Sequence, residues 1–220
     1  MIMLHHKVKK PKISISSIVQ WGFTLVTTCH RDRRELEEAG FAWDDIERLS
    51  DLAKRCADLD AVYIVNRDKA RLETVNINKQ VREAKSLRNW ASSELRRARR
   101  LCRSCPDVPS FRKDPPRTGL LQDLHNLAVL IDLGREPLST ISGFDTGLSE
   151  TLRHESSKLS DAMAQSEVNR GKVDLLLLER NRCYAELYEA ILELCSLGRS
   201  VFRGDVRVKD YRNIRSGLKS

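Results

Sequence analysis

The sequence predicts an all-α protein: an elongated antiparallel bundle of two long and two short helices, with a candidate internal duplication. Three observations carry this. Between Gly40 and Pro106 there is neither glycine nor proline. Along that stretch every seventh residue is apolar (Leu49, Cys56, Tyr63, Ala70, Ile77, Ala84, Ala91, Ala98), the mark of a continuous helix with one packed seam. Only 5% of the chain is aromatic while 32% is charged, a balance that favours helices over sheets. A helix of that length is a rod of about 90 Å, which needs a partner of similar length.

The first helix is expected to start at Ser16 or Ser17, whose hydroxyls can cap free amides. Its apolar positions are Ile18, Val19, Trp21, Leu25, Val26, Cys29 and Leu36, and Ala39-Gly40 ends it. Asp44 with Glu47 three residues on reads as a carboxylate capping box opening the first rod. A second row of the rod, Leu52, Leu59, Asn66, Glu73, Gln80, Leu87, Glu94 and Leu101, is apolar at its ends and polar between. The β-branched and amide residues of 74–78 mark the least helical spot, a candidate kink. Arg88 is expected nearer the wet face, as is Glu189 of the second rod.

Pro106, Pro109, Pro115 and Pro116 define a stiff loop. A short helix from Leu120 to Leu133, stopped by Gly134, carries Leu121, Leu124, Leu127, Leu130 and Ile131. A linker to Gly143 follows. Asp145 then caps the second rod, which runs to Phe202. Its seam is Leu152, Leu159, Ser166, Val173, Arg180, Leu187, Leu194 and Val201, with a companion row of Met163, Leu177, Tyr184, Ile191 and Gly198. Glycine in that row invites a close neighbour. Residues 1–12 read as a basic disordered tail, 13–204 as a single helical-bundle domain and 205–220 as a second basic tail. A short helix, a glycine stop and a long rod occur twice. At an offset of 100, Leu52 meets Leu152, Leu59 meets Leu159 and Leu87 meets Leu187.

The net charge of +8 raises nucleic acid or an acidic partner as candidates. The charge is uneven: 31–60 is acidic, while 79–117 and 199–220 are basic. Arg96, Arg97, Arg99, Arg100 and Arg103 form a candidate anion-binding cluster, although arginine at a helix C-terminus also complements the helix dipole. Asn66, Glu73, Gln80, Ser166, Arg170 and Arg180 form a candidate polar layer at mid-rod, read first as a register-setting layer and second as a ligand cleft.

Cys102-x-x-Cys105 lacks a second ligand pair, so metal and redox roles rank below incidental thiols. His125 and His154 are isolated, and the chain holds no Glu-x-x-His pair, Walker loop or nucleophile elbow. No cofactor or metal is expected. No run of 18 apolar residues occurs, and Gln20, Trp21 and Gly22 interrupt the one stretch resembling an export signal. The six cysteines suit a reducing cytoplasm. These features predict a non-catalytic interaction or scaffold protein with a protein partner or self-association. A basic nucleic-acid-associated protein is the alternative, and an enzyme or ligand binder using the polar layer ranks third.

Overall fold

The structure is a computed structural model and describes residues 13–212. Six α-helices occur among these residues: α1 (Ile15–Arg31), α2 (Arg33–Glu38), α3 (Trp43–Leu101), α4 (Arg117–Leu133), α5 (Arg135–Ser139) and α6 (Leu148–Val201). A 3-10 turn, Val206–Lys209, follows them, and no strand is found among the described residues. The all-α class holds, and the two long helices pack against each other. The described residues divide into two compact units. The first combines residues 13–67 with 172–212, and the second is 68–171.

In the first unit Ser14, two to three residues earlier than expected, caps α1 by accepting a bond from the Ser17 amide at 3.2 Å. Ile18, Gly22, Leu25 and Cys29 form the buried stripe of α1 at spacings of four, three and four. Gly22 lets α1 approach closely: a Cβ there would lie 3.3 Å from Ala53 and 3.4 Å from Leu187. The expected single first helix is broken at Asp32 (φ −99°, ψ 23°). Leu36 is thereby turned into the core, and Gly40, at φ +82°, stops α2. Trp43 opens α3, so Asp44 and Asp45 lie inside its first turn, where the dipole favours them, and Asp44 is not the cap. The core joins α1 and α2 to Ile46, Leu49, Ala53 and Cys56 of α3 and to Leu187, Ile191, Leu194 and Cys195 of α6.

The first residues of the expected C-terminal tail are packed, with Val208 and Tyr211 joining the core of the first unit. Tyr211 is fully buried, stacks on Phe202 at 5.4 Å and donates its hydroxyl to Asp32 at 3.0 Å. A methyl on Gly198 would overlap the Tyr211 ring, so the neighbour that Gly198 admits is this segment, not another helix. The expected tail 1–12 and residues 213–220 lie outside the described residues.

In the second unit Ile77, Ala84, Ala91, Leu95 and Ala98 of α3 pack with Leu120, Leu124, Leu127 and Ile131 of α4 and Leu148, Leu152 and Leu159 of α6. Pro106 sits over the α4–α5 junction, 2.6 Å from where a Cβ of Gly134 would be. Arg88, expected on the wet face, is instead 3% exposed. It donates to Asp123 at 2.9 Å and to the Arg112 carbonyl at 3.1 Å, pinning the proline-rich loop to α3 and α4. The helix is continuous through 74–78, where the Thr74 hydroxyl bonds back to the Ala70 carbonyl at 2.9 Å.

Candidate interaction groove

The members of the predicted polar layer fall in both units, Asn66 and Arg180 in the first and Glu73, Gln80, Ser166 and Arg170 in the second. In the first unit Arg180 donates to Asp60 at 3.1 Å and lies 4.0 Å over the Tyr63 ring, a paired and stacked guanidinium in the α3–α6 seam. Asn66 bonds to the Val62 carbonyl of its own helix at 2.8 Å. In the second unit Glu73 accepts from Asn169 at 2.7 Å, and Ser166 is buried beside this seam. Exposed Arg170 reaches the Thr74 hydroxyl at 3.5 Å, and the Gln80 carbonyl oxygen is buried with no hydrogen-bond partner among the described residues.

The arginine cluster is partly neutralised. Arg97 pairs with Glu94 at 2.7 Å, and Arg99 pairs with Asp107 at 2.9 Å while donating to the Cys105 carbonyl. Arg96, Arg100 and Arg103 are exposed with no ion pair among the described residues. Cys102 shares a hydrogen bond with Ser104 at 2.8 Å, which lowers its pKa, whereas burial raises that of Cys105. Among the described residues no group of histidine, cysteine and carboxylate side chains could hold a metal ion.

Sequence reasoning missed a groove of about 560 Å³ in the first unit, between the start of α3 and the last third of α6. Its position follows from helix register. Ile46, Leu49 and Ala53 of α3 and Leu187 and Ile191 of α6 belong to the core that α1 covers. The groove is lined by the residue just before each of these five (Asp45, Arg48, Leu52, Glu186, Ala190), and so lies about 100° round each helix from that core. Phe41, Leu52, Ala190, Leu194 and Leu197 supply an apolar floor. Asp45, Glu186, Glu189 and Glu193 stand around it with one cation, Arg48. Glu186 pairs with Arg182 at 3.1 Å; Asp45, Glu189 and Glu193 have no ion pair among the described residues. The available signal was the placement of Glu186, Glu189 and Glu193 at i, i+3 and i+7 beside Ala190, Leu194 and Leu197.

Compared with models of protein families, with curated proteins and with solved structures, the chain matches none. Among the described residues no helix is long and apolar enough to cross a membrane.

Proposed function

We propose that this chain is a non-catalytic interaction protein that receives a helix of another chain in the groove between α3 and α6. The carrying observation is the apolar floor of Phe41, Leu52, Ala190 and Leu197, four half-buried side chains that line one concave groove between two helices. An open apolar trough between two helices is the setting in which amphipathic helices dock. A photoreactive phenylalanine at Ala190 tests this in the producing cell. A covalent protein adduct should form from position 190 and not from exposed Glu150. No adduct from 190, or equal adducts from both, would remove the reading.

Within each unit the long-helix pairing is antiparallel in this reading. Its support is that α6 numbers fall as α3 numbers rise: Leu52 faces Cys183 and Asp60 faces Arg180 in the first unit. Duplication has support at a shift of 102 to 103, in place of the expected 100. The breaks Asp32 and Gly134 correspond, as do the core residues Ile18, Leu25 and Leu36 with Leu120, Leu127 and Leu138. Gly40-Phe41 matches Gly143-Phe144, with both glycines at positive φ. Cytoplasmic residence is in keeping with the six cysteines as free thiols. The nucleic-acid alternative loses support from the pairing of Arg97 and Arg99.

A further inference from the structure

We infer that the occupant of the groove is a cationic amphipathic helix. This rests on the groove being a docking site and adds the chemistry of what docks.

Charge is the first argument. Four carboxylates surround the floor against one guanidinium, in a chain whose net charge is +8, so the acidity is local and not compositional. Asp45 has a structural reason to be acidic, since it lies in the first turn of α3. Glu189 and Glu193 have none: both are exposed and neither makes an ion pair among the described residues.

The other half of the chain serves as an internal control. At 103 residues earlier, Glu186, Glu189, Ala190 and Glu193 correspond to Glu83, Ser86, Leu87 and Trp90. A long helix of this protein therefore carries serine and tryptophan where α6 carries Glu189 and Glu193, and the fold itself does not call for acids there.

Shape decides among cations. From Glu186 to Leu197 the α6 wall spans three turns, about 16 Å. A flexible polyamine would neutralise the rim but leave Leu52, Leu197 and Phe41 in water. A helix with leucines at i, i+4 and i+7, flanked by lysine or arginine, covers the floor and meets the carboxylates with the same surface. Nucleic acid and anionic membrane are repelled by the same rim.

The probes are three fluorescein-labelled peptides of about 18 residues, sharing one leucine stripe and flanked by lysine, glutamine or glutamate. Fluorescence anisotropy on the full chain should show the lysine peptide binding most tightly. Glu189→Lys with Glu193→Lys should weaken it by about tenfold or more, with a flattened salt dependence. Glu150→Lys with Glu167→Lys, exposed on α6 in the other unit, should change it by less than about twofold. All four positions are exposed, so circular dichroism melts should match the parent chain. Equal binding of the glutamate peptide, or equal weakening by both variant pairs, overturns the inference. A glutamine peptide that binds best and is displaced by Leu197→Asp overturns the charge argument and leaves the groove as the docking site. If none of the three peptides binds, this inference fails, and the adduct from Ala190 decides the docking site separately.

Discussion

At the residue scale, the sequence located special positions better than it located their partners. Gly198 stood out as a gap in an apolar row, but the ring that fills it comes from Tyr211, in a segment whose lysines and arginines read as solvated tail. From sequence, Arg88 is expected nearer the wet face; the Asp123 carboxylate that permits its burial is 35 positions away and leaves no periodic trace. Asp32 is the residue with the sharpest consequence. It is 2% exposed and accepts from Arg31 at 2.7 and 2.8 Å and from the Tyr211 hydroxyl at 3.0 Å. The Arg31 hydrogen bond, then those of Tyr211 and the charge of Arg207, hold its carboxyl below the usual carboxylate range, against the opposing effect of burial. A folded-state pKa below the unfolded value of about 3.9 contributes stability that is complete above that value and lost as pH falls through the folded one. Asp32→Asn should therefore lower stability at pH 7 by about 1–3 kcal/mol and flatten its loss between about pH 5 and pH 2. Urea titrations across that range check it; parallel pH profiles for the two proteins would remove Asp32 as the titrating group.

At the element scale, the heptad reading was accurate where a helix is packed. Leu49, Cys56, Ile77, Ala84, Ala91 and Ala98 are buried as the seam required, and so are Leu152, Leu159, Leu187 and Leu194 of the second rod. The short elements were less legible. Arg31 to Glu38 has a helical composition throughout, so the break at Asp32 follows from tertiary contacts, and α5 was hidden in a stretch containing Pro137. Ile77→Asp or Leu187→Asp should each cost about 3 kcal/mol or more, since each buries an unpartnered carboxylate and removes a packed side chain. Glu189→Ala, on an exposed position, should stay within about 0.5 kcal/mol of the parent chain. Guanidinium melts of all three distinguish a correct register from a shifted one, in which the penalties would converge.

At the scale of the whole molecule, class and charge asymmetry were legible, but the division into two units was not. Heptad rows run through 67–68 and 171–172 without a loop, and it is the short helices, not the rods, that decide which residues share a core. The candidate groove was hidden for a related reason: it exists because α1 covers one side of the α3–α6 pair and leaves another open, which no single helix reveals. The overall charge of +8 has its own expected outcome. Binding to duplex DNA should be non-specific, with Kd roughly 10⁻⁴ to 10⁻⁶ M at physiological salt, and should fade as salt rises. Replacing Arg96, Arg100 and Arg103 by alanine should lower the salt slope by no more than about three. Nanomolar, salt-resistant binding in a gel-shift series, lost in that variant, would put nucleic acid ahead of a protein partner.

The two units also differ in when they can come into being. The second is one uninterrupted stretch, 68–171, so all of its core residues have been synthesised before residue 172 is added. The first is closed by residues from opposite ends of the chain: Ile18 and Leu25 must wait for Leu187 and Ile191, and Asp32 waits 179 positions for Tyr211. During synthesis α1, α2 and the first part of α3 therefore carry exposed apolar stripes while the second unit can already bury its own. Their strongly charged flanks, Arg31 to Glu38 above all, keep that waiting segment in water until its late partner arrives.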